Sequence, residues 1–264
     1  MARRIGGFMN GKKRSLVFVS TLVVLSATAS AAQTLETETA RLLPARRWEI
    51  GSAFEFQKSG DGTEAALPFA IAYGLANRFE LLVEPVPYTA IRPKVGRHAI
   101  GTGDVEATVT ALLTQETRSM PALAFAAEVK FPTARDRLIG SGEPDYTGYV
   151  ILSKRLGRID THLNLAYTFV GRQDNVPLNN IVSFAAAGVY KLSPRSELFG
   201  EVLGNTAAIP ASESSTTPEV AGGEVSGTLG VGREIGLGLA LYFAVSYDTN
   251  NAVLVRPGLT WRLH

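Results

Sequence analysis

From residue 46 onward the chain alternates apolar and polar positions with a period of two. In residues 159–169, Ile159, Thr161, Leu163, Leu165, Tyr167 and Phe169 alternate with Asp160, His162, Asn164, Ala166 and Thr168. Successive side chains of a strand point to opposite faces, so this segment reads as a strand with one oily and one polar face. The same alternation runs from Asp104 to Leu113, from Leu239 to Asp248 and from Val253 to Leu263, whereas 148–155 and 181–191 leave their own facing open. Twelve strands are predicted, at 46–58, 63–74, 78–89, 103–115, 121–133, 146–156, 159–170, 180–192, 196–205, 222–235, 239–248 and 252–263. Their lengths suit tilted membrane-crossing strands of about 9–11 residues with rims added.

The connections and the aromatic residues bear on the same question. Outer-membrane barrels have short periplasmic turns and longer extracellular loops. The even-numbered connections are short: 75–77, 116–120, 157–158, 193–195 and 236–238. Among the odd-numbered ones, 90–102, 134–145 and 206–221 are long, 171–179 is intermediate, and 59–62 and 249–251 are short. This layout puts Trp48, Tyr73, Phe79 and Trp261 on the oily face near the periplasmic rim, and Phe56, Phe131, Phe169 and Tyr247 near the extracellular rim. Such placement matches the two aromatic girdles of a barrel in a membrane. The competing architecture is a secreted sandwich or calycin-like barrel with its apolar face inward. Small residues on the other face, such as Ala122, Ala124 and Ala126, favour the narrow interior of a membrane barrel over a solvated sheet surface.

The N-terminus supplies an export signal. Arg3, Arg4, Lys12, Lys13 and Arg14 precede an apolar run from Leu16 to Leu25, followed by Ala27, Ala29 and Ala31. This is the layout of a signal peptide over 1–31, and the run is too short for a membrane-spanning helix, which needs about twenty apolar residues. Residues 32–45 then form a polar segment that enters the barrel as a plug or hangs in the periplasm, and 46–264 form the barrel. Removing five of the 26 basic residues and none of the 24 acidic ones leaves 21 against 24, a mature net charge of −3. The basic balance of the whole chain is therefore in part a targeting signal and gives no argument for nucleic acid. The absence of cysteine suits passage through an oxidising periplasm. The expected fold is all-β: a closed antiparallel transmembrane barrel of about twelve strands in the bacterial outer membrane.

The polar face supplies the candidate functional residues. The lumen-lining candidates are Glu49, Glu55, Glu80, Glu84, Asp104, Glu106, Glu128, Lys130, Asp160, His162, Asn164, Arg256 and Arg262, with Arg47, Glu197 and Glu201 also assigned inward. Acids predominate, which favours cations or neutral solutes in an open lumen. Closure requires the first and last strands to pair, and opposed residues in an antiparallel pair have numbers of constant sum. The sums of 49 with 262 and of 55 with 256 are equal, so one register sets Glu49 opposite Arg262 and Glu55 opposite Arg256.

Catalysis has weaker support. Three histidines without cysteine give no spaced metal-ligand set, and no cofactor motif is present. Gly101-Thr102-Gly103-Asp104 opens a strand with no helix after it, so it is not a nucleotide loop. His162 and Asn164 share a face, as in the serine–histidine–asparagine site of outer-membrane phospholipase A, but no serine is placed at a neighbouring same-face position to act as nucleophile. No catalytic residue is assigned.

Gly101-Thr102-Gly103-Asp104, then Lys130-Phe131-Pro132-Thr133, then Ser153-Lys154 and Gly157 before His162-Leu163-Asn164-Leu165-Ala166-Tyr167, occur in an order that resembles the MetA-pathway phenol-degradation family. The resemblance covers roughly residues 46–264, and it departs from the family at Ala134, where glycine is expected, and at the end, Trp261-Arg262-Leu263-His264, which is not aromatic. It implies an outer-membrane transporter-like barrel, with hydrophobic or aromatic compounds among the candidate solutes. The expected function is a channel or transporter for small solutes, and the alternative is a non-conducting structural or interaction barrel. A lipid hydrolase ranks below both. The expected partners are outer-membrane lipid, the barrel-assembly machinery and a small-molecule solute, with no nucleic acid.

Overall fold

A computed structural model describes residues 36–172, 178–208 and 223–263. The expected signal peptide 1–31, residues 32–35, 173–177 and 209–222, and His264 lie outside the described residues. The strands are β1 (Trp48–Ala53), β2 (Glu55–Lys58), β3 (Gly62–Ala66), β4 (Phe69–Ala76), β5 (Phe79–Pro85), β6 (Thr89–Pro93), β7 (Ala99–Gly101), β8 (Val105–Thr114), β9 (Ala122–Phe131), β10 (Asp145–Leu156), β11 (Ile159–Phe169), β12 (Ile181–Ser193), β13 (Ser196–Asn205), β14 (Glu224–Gly236), β15 (Leu239–Asp248) and β16 (Val253–Leu263). All sixteen segments belong to one antiparallel sheet, and β1 pairs with β16 to close it. The first four barrel strands are each interrupted once, as β1–β2, β3–β4, β5–β6 and β7–β8, so the sixteen segments make twelve barrel strands.

The interruptions have a local cause. Pro68 separates β3 from β4, and Pro87 separates β5 from β6; neither can donate to a ladder. The breaks line up across the sheet, and backbone bonds still cross them: Phe54 N–H to Pro257 O, Leu67 N–H to Tyr88 O, and Gly103 N–H to Val86 O. Beyond the breaks, β6 and β7 continue the third and fourth strands upward. This corrects the expected loop over 90–102: only Lys94–His98 turns, and the flanking residues extend the strands. Composition pointed to a loop because Pro93, Gly96, Gly101 and Gly103 are dense there, but pairing with β3 satisfies the backbone.

The oily face is outside. Leu163, Leu165, Leu241 and Phe243 are exposed, while the intervening Asp160, His162, Asn164, Tyr242 and Ala244 are buried. In a stacked pair of sheets those leucines would be the core. Here they form a belt, which is stable only with lipid around it. The aromatic rims follow: Trp48, Phe79 and Trp261 at one end, Phe56, Phe131, Phe169 and Tyr247 at the other, all exposed. Trp48 lies opposite Tyr73, with ring centroids 4.3 Å apart.

The interior is packed on one side and polar on the other. Phe199, Val189, Tyr242, Ala244, Ala187 and Ala53 form an apolar cluster inside the wall. Glycines on neighbouring strands make room for the rings: a Cβ on Gly230 would lie 2.2 Å from the Phe199 ring, and one on Gly258 would lie 2.2 Å from Tyr242. Across the barrel, Ala122, Ala124, Ala126 and Ile151 form a second buried cluster. The facing that pattern alone left open in 148–155 is thereby settled, with Ile151 and Ser153 inside.

Candidate functional site

The second cluster is small for a reason: it receives Ala40. Residues 36–43 run along the inner wall and exchange hydrogen bonds with inward side chains from five barrel strands. Glu201 accepts from Thr37 N–H at 2.7 Å and from the Thr37 hydroxyl. Asn164 Oδ1 accepts from Glu38 N–H at 2.6 Å, and its amide donates to Glu38 O at 2.9 Å. Ser153 Oγ accepts from Ala40 N–H at 2.9 Å, and Glu80 Oε2 accepts from Leu43 N–H at 2.6 Å. Arg256 Nη2 meets Glu36 Oε1 at 2.6 Å. This irregular backbone meets the requirement that non-helical chain at membrane depth be satisfied by protein groups.

The lower end of the segment is locked by charge. Arg41 Nε donates to Asp160 Oδ1 at 2.9 Å, and its Nη2 donates to Glu116 Oε2 at 2.7 Å. Glu116 belongs to the turn between β8 and β9. Burial alone would raise its pKa; bonds from Arg155 N–H and the Arg41 and Lys154 side chains outweigh this and hold it at about 2. Lys154 Nζ also donates to Thr117 O at 2.6 Å and Arg118 O at 3.1 Å, which fastens the turn.

Above the segment lies a cavity of about 320 Å³ lined by Glu36, Glu38, Glu84, Glu106, Glu128, Lys130 and Asp145, with Thr147, Tyr149 and Thr168. Glu128 is held by Tyr149 Oη at 3.0 Å and by Thr108 Oγ1 at 3.2 Å. Lys130 pairs with Asp145. Among the described residues neither Glu84 nor Glu106 makes a side-chain hydrogen bond or ion pair, although Glu106 stands opposite Lys130 in the β8–β9 register. Glu38, Glu84, Glu106 and Glu128 thus set four carboxyl groups around Lys130, which is itself paired with Asp145.

The barrel seam has the register read from the sequence. Glu49 lies opposite Arg262, and Val255 opposite Phe56 puts Arg256 next to Glu55. Arg262 Nε donates to Glu49 Oε2 at 2.5 Å. Arg256 Nε is 2.7 Å from Glu55 Oε1, but its N–H does not point along that contact, so this is an ion pair without a directed hydrogen bond.

Three sequence expectations need correction. Asp104 is not in a strand: its Oδ1 accepts from Ala134 N–H at 2.9 Å, beside Thr133 Oγ1 donating to Gly103 O at 3.0 Å. The Gly101–Asp104 and Lys130–Thr133 motifs thus meet each other and brace the extracellular rim. Arg47 is exposed ahead of β1, because the chain turns at Arg46 (φ +65°) before the strand begins. Third, a serine does lie beside His162: Ser153 is its opposed partner, with Oγ 2.9 Å from Nδ1. The two-residue turn at 157–158 contained this register, since Leu156 opposite Ile159 carries Ser153 opposite His162. The pair is buried inside the barrel under Thr39 and Ala40, away from the lipid face, and Ser153 Oγ already accepts from Ala40 N–H. Its observed work is to hold the segment.

Sequence alone also missed what the inward residues bind. Asp160, Asn164, Glu80, Glu201 and Arg256 read as wall charges, whereas each contacts residues 36–43. The signal available was the unexplained polarity of 32–45 beside alanines on the wall.

A closed barrel with an apolar outer belt and a polar, partly filled interior defines a bacterial outer-membrane β-barrel. No family model and no curated protein matches the chain. Among solved structures it is similar to the COG4313 outer membrane channel from Pseudomonas putida F1, with TM-score 0.67, 11% identity, and 87% of this chain and 100% of that one covered. It is also similar to the NanC porin, with TM-score 0.60, 10% identity, and 81% and 100% covered. The KdgM porin in complex with disordered oligogalacturonate gives TM-score 0.56, 13% identity, and 82% and 99% covered. At these identities the likeness establishes the shared fold.

Proposed function

We propose that the chain is an outer-membrane channel for small solutes, closed in this conformation by the segment within residues 32–45. The observation that carries this reading is the run of hydrogen bonds from residues 36–43 to the inner wall, below a cavity of about 320 Å³. The cavity's lining of carboxyl groups favours cations and neutral hydrogen-bonding solutes over anions. The KdgM porin's oligogalacturonate is acidic, and this lining is poorly matched to such a ligand. Aromatic compounds enter as candidates through the resemblance to the MetA-pathway family, and Tyr149 is the aromatic side chain lining the cavity.

Planar-bilayer conductance of the mature chain, with and without residues 32–45, tests the proposal. Intermittent small currents that become steady and larger on deletion are the expected result. The packed cluster around Phe199 and Tyr242 favours the second reading, a non-conducting structural barrel. No current from either form would select that reading.

A further inference from the structure

The outer surface of the barrel carries a basic row that none of the interactions above uses. The register sets Val253 opposite Lys58, Lys58 opposite Thr63, and Thr63 opposite Arg92. The same register carried one step beyond Ile91–Ala99 brings His98 beside Arg92. Lys94 follows Pro93 at the end of β6, where its N–H donates to Asp61 O at 2.6 Å. The face of this row is the outer one, because the row below it aligns Val255, Phe56, Ala65, Ala90 and Ile100, of which Phe56 and Ile100 are exposed. Lys58, Arg92, Lys94 and His98 are all exposed, and among the described residues their side chains have no hydrogen-bond or ion-pair partner. Arg97, at the same tip, is by contrast committed to a two-pronged pair with Asp136, at 2.6 and 2.5 Å. Asp61 is the acid nearest along the β2–β3 hairpin.

The height of the row on the barrel identifies its surroundings. Trp48 marks the periplasmic girdle, and Lys58 follows further up the same barrel strand. At about 3.3 Å per residue and a tilt of about 40°, Lys58 is roughly 25 Å above Trp48, the height of the apolar band of such barrels. Adjacent strands are about 4.8 Å apart, so the row is roughly 15 Å wide. Lys58 and Arg92 flank Thr63 across two strand pairings, so an anion seated over Thr63 would be attracted by both. The row sits above an apolar row at the extracellular edge, where the headgroups of the outer leaflet lie.

We propose that Lys58, Arg92 and Lys94, with His98, bind the phosphate groups of phosphorylated glycolipid (lipid A) in the outer leaflet. The partner is a lipid because the row is continuous with the lipid-facing belt. The test mixes the folded mature chain in detergent with lipid A bearing both phosphates and with the same lipid dephosphorylated, and counts bound lipid by native mass spectrometry. The parent should retain the phosphorylated form selectively. The triple variant K58Q/R92Q/K94Q should bind it roughly a hundredfold more weakly, at about fivefold per basic residue near an anionic lipid surface. R158Q/R195Q, at the periplasmic turns, should bind as the parent does. Equal retention of both lipids by the parent, or parent-like binding by the triple variant, would overturn the proposal. Displacement of the lipid by millimolar inorganic phosphate would also overturn it, by showing a phosphate site with no use for the acyl chains. Folding of each variant is checked by heat-modifiable gel mobility. If the triple variant does not fold, K58Q/K94Q is compared with the parent across a salt series, where the proposal requires a shallower salt dependence.

Discussion

The seam pair Glu49–Arg262 offers the sharpest test of the closed barrel. The Glu49 side chain is 2% exposed and that of Arg262 is 26% exposed. An exposed ion pair contributes about 0–1 kcal/mol, and breaking a buried one costs about 3–5 kcal/mol. With one partner buried and the other part-solvated, Glu49→Gln should cost about 2 kcal/mol. Glu49→Arg sets two guanidinium groups against each other and should cost more. The double swap E49R/R262E restores opposite charges in the same register, so most of the loss should return as a coupling energy. The pair Arg256–Glu55 is a poorer choice, because Arg256 also holds Glu36 of the inner segment. The readout is local: the chain has two tryptophans, Trp48 and Trp261, and both lie on the outer face of this seam. Urea unfolding followed by their fluorescence should show a midpoint lowered by about 1 M for Glu49→Gln, taking a slope of about 2 kcal/mol per molar. A double swap no more stable than the worse single variant, with coupling under about 0.5 kcal/mol, would refute the seam.

Ser153→Ala removes the acceptor for Ala40 N–H and the partner of His162. It should loosen the inner segment by about 1–2 kcal/mol, seen as a larger open fraction in single-channel records, and unchanged gating would count against the latch. Replacing Glu84, Glu106 and Glu128 together with glutamine should move the reversal potential in a salt gradient away from cation preference; a parent that already prefers anions would contradict the acidic-lumen reading. Glu116 has a folded-state pKa of about 2, below its ordinary 4.5, so its contribution is complete above about pH 4.5 and is lost as pH falls toward 2. Current through the parent should therefore rise over that acid range, while Glu116→Gln should show the increase already at neutral pH and lack the acid step.

Strand number, closure, the facing of the clearly alternating strands and even the seam were legible in the sequence, because a period of two and the constant-sum rule are properties of the backbone that hold wherever a strand forms. Leu163 and Leu241 had to face outward once their polar neighbours faced in, and two acid–base pairs sufficed to set the seam register. The 90–102 stretch misled because proline and glycine usually mark loops, yet pairing with β3 draws it into the sheet. Residues 36–43 lay beyond any such rule. They have no period, and their hydrogen bonds go to side chains far along the chain, 37 positions away from Leu43 to Glu80 and 164 from Thr37 to Glu201. Which wall residues would meet them depended on the curvature of the closed barrel, which brings β5, β10, β11, β13 and β16 around one interior. Only that three-dimensional closure decided that Asp160, Ser153 and Glu80 hold a segment of the chain and that the carboxylates of Glu84 and Glu106 line a cavity.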